Sequence, residues 1–371
     1  MAQGNQQALD ILARLGQQPA VAYWESGVAA AIIAILKEAG LDTQVDQYSN
    51  IIARIPGQHP NTVPLALVAH MDHPGFEAVA VQGFNLIGNA LGGVPAASFE
   101  PGVPLQLILS DGLRMPAATA GRWGDDSARQ VLIKLEEPID VELPRPVVFD
   151  LTDFEVDGEF IRMRAADDLA GCGSILATLT ALSSRMPPGD VYGVFTRAEE
   201  VGLIGARLLA ESGRLPRDTL VVSVESSRML PGAEQGGGPV IRVGDAGMTF
   251  SADAEAVLVR ARESLQAGNT RFRVQRQLMS GGVCEASAFA RYGYRTTGIA
   301  YPLGNYHNGS PEGGVKAEHI NINDFLGGIQ LMTEAAYRIG ERENTAFEQR
   351  LGHVPDDQRK RLTNTNHSPD A

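Results

Sequence analysis

The pattern of apolar and polar positions predicts an alternation of strands and helices over most of the chain. Residues 6–40 repeat apolar positions at helical spacing and predict two amphipathic helices. Alternating polarity over residues 43–48, followed by a Pro-Gly turn at 56–57, predicts a hairpin. After residue 167, strands and helices alternate as far as a final helix at about 324–341. This order is typical of an α/β domain.

Residues 75–159 have a different pattern. Short apolar runs broken by Gly and Pro, such as 104–109 and 130–135, predict strands there, and no segment predicts a long helix. We therefore expect a main domain that is interrupted by a smaller, β-rich one. The predicted units are a main domain at residues 1–74 and 160–345, an inserted domain at 75–159, and a polar tail at 346–371 that is disordered at its end.

Composition is that of an ordinary globular protein and narrows the choice of partners. The 371 residues exceed the size of a single core, and 44% are hydrophobic and 20% charged. A net charge of −13 argues against nucleic acid or an anionic membrane surface, because both attract clustered Lys and Arg. The chain has two cysteines, its first residues are neither basic nor apolar, and no apolar run is long enough to span a bilayer. A cytoplasmic location is therefore expected.

Side chains that commonly bind metals follow the predicted strands. The apolar runs at 63–69, 191–196, 220–224 and 297–301 each lead into an acidic residue or a histidine, and an acidic pair precedes the helix that starts near residue 169. The candidate ligands are His70, Asp167, Glu200, Glu225 and His307. In an open α/β sheet the carboxyl ends of the strands border one crevice, so residues distant in sequence can converge there.

Each candidate also has a structural explanation. A single histidine at a strand end is more often hydrogen-bonded than metal-bound, an Asp-Asp pair before a helix can cap it, and a Glu-Glu pair after a strand is usually solvated. Five such positions on one chain nevertheless favour a shared site. The order His, Asp, Glu-Glu, Glu, His is more specific than any one of its members.

The donor types indicate a hydrolytic centre with two metal ions. Two histidines and several carboxylates suit zinc best, with cobalt or manganese as alternatives. Two ions about 3.5–4 Å apart need a bridging carboxylate, and Asp167 is the candidate for it. The ions would lower the pKa of a shared water. Glu199, which is next to a ligand but free itself, would take the proton of that water and pass it to the leaving group.

Several motifs carry a resemblance to a known family. In chain order they are AHMDHPGF at 69–76, LGGVP at 91–95, DDLAGC at 167–172, EEVGLIGA at 199–206 and YH at 306–307. Together they resemble the two-metal, co-catalytic zinc aminopeptidase family that includes glutamyl aminopeptidase and the tetrahedral aminopeptidases. The resemblance covers residues 6–341. It implies an α/β fold, with a mixed-sheet metallopeptidase domain that has helices on both faces and is interrupted by a smaller β-rich inserted domain.

The resemblance also implies which residues hold which metal. One ion would be bound by His70, Asp167 and Glu225. The other would be bound by Asp167, Glu200 and His307, so that Asp167 belongs to both sets.

Further roles are implied for residues that do not bind the metals. Glu199 would be the proton shuttle, and Asp72 would orient the imidazole of His70. A cis peptide bond before Asp168 would aim Asp167 at both metals.

The chain departs from the family pattern at several positions. Glu225 stands where an Asp is usual, and His73-Pro74 replaces a Glu-Ile pair. Cys284 and Glu285 stand where Thr and Asp are typical. These changes spare the metal set but put the substrate preference in doubt. We expect Cys284 to be a small buried residue rather than a nucleophile.

The sequence therefore predicts an enzyme, a metallo-aminopeptidase that hydrolyses the amino-terminal peptide bond of peptides. Two alternatives stay open: a related two-metal deacylase or carboxypeptidase acting on N-acyl amino acids, and a non-catalytic structural or binding homologue. In the deacylase relatives the accessory domain enters between the third and last ligands, whereas here the longest gap, of 97 positions, separates His70 from Asp167. Because the chain retains all ligands and the shuttle, a non-catalytic role is disfavoured.

The inserted domain is expected to serve oligomerisation or substrate access. Its many short strands offer edges at which subunits can meet, and relatives assemble through theirs. We therefore expect a homo-oligomer, from a dimer up to a dodecamer. The expected partners are peptides with a free amino terminus, and neither nucleic acid nor a membrane is expected to bind.

Overall fold

The strands of the computed structural model, which describes residues 2–125, 127–137 and 141–365, form three sheets. In chain order they are β1 (Thr43–Val45), β2 (Ile51–Ile55), β3 (Leu65–His70), β4 (Gly75–Gln82), β5 (Asn85–Leu91), β6 (Pro104–Ile108), β7 (Arg114–Trp123), β8 (Gln130–Leu135), β9 (Arg145–Phe149), β10 (Glu155–Asp157), β11 (Phe160–Met163), β12 (Val191–Thr196), β13 (Leu220–Arg228), β14 (Val240–Arg242), β15 (Gln275–Gln277), β16 (Arg295–Leu303) and β17 (Glu318–Asn321).

Among the described residues, the α-helices all lie outside the β-rich segment. In chain order they are α1 (Ala2–Gly16), α2 (Ser26–Glu38), α3 (Ala166–Leu182), α4 (Ile204–Ser212), α5 (Ala252–Gly268), α6 (Glu285–Arg291), α7 (Ile322–Arg338), α8 (Ala346–Gly352) and α9 (Asp356–Asn364). Short 3-10 helices occupy Ala96–Phe99, Tyr306–Asn308 and Ile339–Glu341. Among the helices of the described residues, none has the length and apolar character that a membrane span requires.

A mixed sheet forms the main domain. Its strand order is β1-β2-β12-β3-β13-β16-β14-β15. The central strands β12, β3, β13 and β16 are parallel to one another. Their carboxyl ends therefore meet at one edge of the sheet, the place where α/β proteins form their ligand sites.

Helices cover both faces of this sheet. Leu65, Leu67 and Ala69 of β3 pack into one apolar cluster with α1, α3 and α7, whereas Ala66 and Val68 pack into a second cluster with α4 and α6. Alternate side chains of a strand point to opposite faces, so a strand covered on both faces is a continuous apolar run. Burial of each leucine contributes about 1.5–3 kcal/mol. This double coverage explains why the run was recognisable in the sequence.

Strands β4 to β9 close into a barrel with the order β4-β5-β8-β7-β6-β9. The barrel has an apolar core of its own, in which Phe76 packs edge-to-face on Phe149 and Phe99, with ring centroids 5.8 and 6.3 Å away. A register shift between Thr119 and Gly121 bends β7, as β-bulges do in small barrels. The segment is β-rich, as expected, while domain limits at residues 75 and 159 stay a prediction.

The mixed α/β architecture with its smaller β-rich part confirms the predicted fold class. Within the predicted polar tail, α8 and α9 occupy much of the described part. Thr345 caps α8 by accepting a hydrogen bond from the Glu348 amide, at 3.2 Å, a local signal that composition alone does not reveal. The end of the tail, residues 366–371, for which disorder was predicted, lies outside the described residues.

Candidate metal centre

The candidate ligands meet at the carboxyl edge of the four parallel strands. His70 is the last residue of β3, and Glu225 lies within β13. Glu200 follows β12, His307 follows β16 in a 3-10 helix, and Asp167 stands at the start of α3. The structure thus brings together all five side chains that the sequence singled out.

Asp167 lies between the two histidines. Its Oδ1 is 3.4 Å from Nε2 of His70, and its Oδ2 is 3.7 Å from Nε2 of His307. Ligand atoms of His70, Asp167 and Glu225 all lie within 4.8 Å of one another, and so do those of Asp167, Glu200 and His307. The two groups share Asp167, which is the arrangement that a bridging carboxylate requires.

The donor atoms suit divalent metal ions. Oδ1 of Asp167 and Oε1 of Glu225 are buried and have no hydrogen-bond partner in the described chain. A buried carboxylate oxygen without a partner costs free energy that a metal ligand bond offsets. The mixed nitrogen and oxygen set is typical of zinc.

The clustering of carboxylates shifts their pKa values. Burial raises the pKa of Glu199 to about 8; His70 opposes this rise, and Glu285 adds to it. Burial also raises the pKa of Glu200 and of Glu225 well above its usual range. The pKa of His70 is raised because the carboxylates around it, Glu199 foremost, outweigh its burial. Divalent ions in the site would reverse the rise of the carboxylates, since their charge stabilises the ionised form.

Asp72 holds the loop that carries the two adjacent glutamates. Its Oδ1 accepts a hydrogen bond from the Glu199 amide at 2.9 Å, and its Oδ2 accepts one from the Glu200 amide at 3.1 Å. Nδ1 of His70 lies 3.0 Å from the main-chain oxygen of Asp72 but 3.7 Å from its carboxylate. The structure thus adds a contact to the expected one: the side chain of Asp72 fixes the glutamate loop, and its main chain contacts the imidazole.

Two buried carboxylates that the sequence did not single out support the same loops. Glu318, on β17, accepts a hydrogen bond from the Asp167 amide at 2.9 Å. Glu25 accepts one from the Ala198 amide at 3.0 Å and pairs with Arg197 at 2.6 Å. Neither belongs to a motif, and only the pairing of β17 with β11 and the position of α2 bring them to the site.

The barrel also reaches the metal centre, through Gly92 and Gly93. Nδ1 of His307 lies 3.1 Å from the main-chain oxygen of Gly93. A Cβ on Gly93 would come within 2.2 Å of that same nitrogen, and one on Gly92 within 2.9 Å of the Glu200 carboxylate. The LGGVP motif therefore has a steric reason for its glycines.

The peptide bond between Asp167 and Asp168 is cis, as the resemblance implied. Asp168 itself is buried behind the site, where its Oδ1 accepts a hydrogen bond from the Gly171 amide at 3.1 Å. Burial raises the pKa of Asp168 well above its usual range. Asp167 alone of this pair faces both histidines.

The positions that depart from the family pattern are all buried near the site. Cys284 is 1% exposed, and burial raises its pKa to about 11, which agrees with a packing role rather than a nucleophilic one. Glu285 accepts hydrogen bonds from the hydroxyls of Thr196 and Ser223, each at 3.1 Å. Nε2 of His73 accepts one from the Ala20 amide at 3.1 Å.

A cavity of about 570 Å³ opens over the candidate ligands. Its wall includes three cationic side chains, Arg207, Arg228 and Arg242, and the ring of Tyr306. Arg242 is 2% exposed, and its Nε and one Nη have no hydrogen-bond partner among the described residues. The cavity thus joins a carboxylate-rich floor to arginine-bearing walls.

The chain matches known proteins over most of its length. The family model described as M42 glutamyl aminopeptidase matches residues 135–324. A relative from Acetivibrio thermocellus, named "Putative aminopeptidase", is 26% identical over 328 residues, which cover 84% of this chain and 93% of that protein.

Solved structures show the same fold. The TET1 peptidase of Pyrococcus horikoshii, which can assemble into a tetrahedron or a large octahedral shell, aligns with a TM-score of 0.75 and 22% identity, over 89% of this chain and 99% of that one. An aminopeptidase from Desulfurococcus kamchatkensis aligns with a TM-score of 0.76 and 20% identity, over 92% of this chain and 98% of that one.

Proposed function

The chain belongs to the M42 glutamyl aminopeptidase family, and on that premise we propose how its metal centre removes the amino-terminal residue of a peptide. The protein is a metal-dependent aminopeptidase, a hydrolase of peptide bonds that uses divalent metal ions. We propose in addition that each subunit binds two metal ions, and that zinc is preferred over cobalt and manganese. The set of two histidines and three carboxylates supports zinc, which favours mixed nitrogen and oxygen donors.

One observation carries the assignment of ligands, namely the position of Asp167 between two histidines. Its two oxygens face different imidazoles, at 3.4 and 3.7 Å. In the proposal His70 and Glu225 would complete one ligand set, Glu200 and His307 would complete the other, and Asp167 would belong to both.

Glu199 is the proposed proton shuttle. When bound, the ions polarise the scissile carbonyl group and lower the pKa of water. Oε2 of Glu199 is 3.9 Å from Nε2 of His70, so its carboxylate borders the metal centre, while its amide is held by Asp72. Glu199 takes a proton from the attacking water and delivers it to the leaving nitrogen.

The charges in the cavity favour a peptide with a free amino terminus and an acidic first residue. The carboxylates on the cavity floor attract the ammonium group of the substrate, which an acetyl group would abolish. Arg207, Arg228 and Arg242 offer donors to the side chain of the first residue, and a glutamyl or aspartyl carboxylate complements them. The glutamyl activity named in the family description supports the same preference.

A deacylase or carboxypeptidase acting on N-acyl amino acids is the alternative that would use the same metals. The barrel strands, Gly75 to Phe149, enter the chain between His70 and Asp167 rather than between the third and last ligands. That order supports the aminopeptidase.

A substrate panel tests the proposal. Purified protein of known metal content, measured by elemental analysis, is given glutamyl, leucyl and lysyl amides and their N-acetylated counterparts. We expect turnover of free amides, fastest for the glutamyl compound, and none of acetylated ones. If N-acetyl amino acids are turned over faster than free aminoacyl amides, the protein is a deacylase instead. Equal rates for the three free amides would contradict the proposed preference for an acidic first residue.

A further inference from the structure

Tyr306 stands in the wall of the active-site cavity, next to a proposed metal ligand. Its ring stacks on the imidazole of His307, with centroids 3.8 Å apart and planes 21° from parallel. The guanidinium of Arg228 also lies over the ring, 4.8 Å from its centroid. Two flat groups thus fix the ring, so the direction of its hydroxyl is set before substrate binds.

The Tyr306 hydroxyl is free to meet a substrate. Within the described residues it takes part in no hydrogen bond, although the side chain lines the same cavity as the proposed ligands. A Cβ on Gly282 would lie 3.9 Å from the hydroxyl oxygen, so the glycine leaves room beside it. The imidazole on which the ring stacks has its Nε2 3.7 Å from Asp167 and 3.7 Å from Glu200, so Tyr306 borders the metal centre.

Four carboxylates line the floor of the cavity. The carboxylates of Asp167, Glu199, Glu200 and Glu225 are acceptors when ionised, whereas hydrolysis of an amide develops negative charge on its carbonyl oxygen. A tyrosine hydroxyl keeps its proton at neutral pH, since its ordinary pKa is about 10, and it can donate to that oxygen.

We propose that Tyr306 is a further catalytic residue, whose hydroxyl donates a hydrogen bond to the carbonyl oxygen of the scissile bond in the transition state. This inference rests on the proposed function. Water adds to the carbonyl carbon, and the π electron pair moves to the oxygen, where Tyr306 stabilises it without giving up its proton. The pair then restores the carbonyl bond as the carbon–nitrogen bond breaks, and the leaving nitrogen takes the proton held by Glu199.

The test is Tyr306→Phe, which keeps the stacked ring and removes the hydroxyl alone. We expect kcat on a glutamyl amide to fall about 10²–10³-fold, the range found when one oxyanion donor is removed. Metal content and affinity for the product amino acid should stay at the wild-type level. The matched control is Tyr301→Phe, because the Tyr301 hydroxyl faces Gly328 on α7, away from the cavity.

A binding measurement supplies a readout that does not need turnover. An aminoalkyl phosphonate, which mimics the tetrahedral carbon, should bind Tyr306→Phe more weakly than wild type by a factor close to the loss in kcat, as measured by calorimetry. Near-wild-type kcat, unchanged phosphonate affinity, or loss of bound metal in Tyr306→Phe would each overturn the inference, the last by assigning the ring a purely structural role. A wild-type enzyme that is loaded with metal yet hydrolyses no aminoacyl amide would instead refute the proposed function itself.

Discussion

Glu199 and Glu200 are adjacent in the chain, yet the structure places them differently. Oε1 of Glu200 is 3.7 Å from Nε2 of His307, within the proposed second ligand set, whereas Glu199 lies on the His70 side. Asp72 binds both amides and so holds the two side chains in fixed relation. Neighbours of identical chemistry can therefore take separate roles.

The first prediction separates these roles by substitution. Glu199→Gln keeps the size of the side chain but removes the base, so kcat should fall about 10²–10⁴-fold while metal content stays complete. Glu200→Gln should instead lower the affinity for one ion. Both can be measured on one preparation of each variant, by elemental analysis and by turnover of an aminoacyl amide. Near-full activity of Glu199→Gln with full metal would sink the assignment.

The second prediction concerns His73, a buried residue whose neutral form the fold requires. Its Nε2 accepts a hydrogen bond from the Ala20 amide, while its Nδ1 faces the Pro74 oxygen at 3.1 Å. Burial lowers its pKa to about 3, and Arg164 adds to the effect. Below pH 6.5, the ordinary pKa of histidine being about 6.5, His73 of the unfolded chain therefore binds a proton. His73 of the folded chain stays neutral until the pH approaches 3.

The contribution of His73 to the free energy of unfolding should be fully present above about pH 6.5 and be lost as the pH falls towards 3. The free energy of unfolding should fall by up to about 1.4 kcal/mol per pH unit in that range. His73→Gln, whose amide oxygen can still accept from Ala20, should lack this part of the slope. Urea unfolding of both proteins between pH 4 and 7, with a chelator present so that metal loss is common to both, measures it. Identical slopes would contradict the assignment.

At the scale of elements, the metal centre is an assembly of two parts of the fold. The parallel strands bring most of the proposed ligands to one edge, but the loop after β5 adds the Gly93 oxygen against His307. The barrel is thus a component of the site as well as an expected lobe for assembly.

The third prediction tests this contact. Gly93→Ala places a Cβ within 2.2 Å of His307 Nδ1, so the imidazole must move and the proposed second ion should bind about 10–100-fold more weakly. Gly340→Ala is the control, because nothing lies within 4 Å of the Cβ it would add. Metal titration by calorimetry compares the two. Unaltered affinity in Gly93→Ala would mean that the loop shifts freely and does not support the site.

At the scale of the whole molecule, the barrel raises the question of assembly. The related TET1 peptidase of Pyrococcus horikoshii forms a tetrahedron or an octahedral shell, and this chain shares its fold. The barrel carries exposed apolar side chains near its hairpin tips, including Phe84, which is 91% exposed, and Leu113. Large exposed apolar groups on a separate lobe favour contact between subunits.

The fourth prediction is that the protein is a homo-oligomer, at least a dimer and at most a dodecamer. Light scattering at micromolar concentration should give a mass that is a multiple of the subunit mass. If the hairpin tips form contacts between subunits, Phe84→Ser combined with Leu113→Ser should lower the number of subunits in the oligomer. Turnover per subunit shows whether this variant keeps its fold. A monomer mass for the wild-type protein would reject the prediction.

The sequence by itself determined the fold class and the candidates for the site. Continuous apolar runs identify strands covered on both faces, as in β3, and a polar residue at the end of such a run stands out against them. The order of His70, Asp167, Glu199, Glu200, Glu225 and His307 carried the resemblance that the family match confirms. These signals are local, because the period of a strand and the residues of a motif are written in consecutive positions.

Only the tertiary structure decided how the site is held and completed. Gly93 and His307 are 214 positions apart, and Glu318 is 151 positions from the Asp167 amide it binds. No local pattern marks such pairs, because each contact depends on strand order, register and the closure of the barrel. Tyr306 likewise gains its proposed role from the ring it stacks on and the space beside Gly282. Candidate catalytic and metal-binding residues can be recognised in a sequence by their type and their motifs. The groups that position them cannot, because their role depends on neighbours that only the folded chain provides.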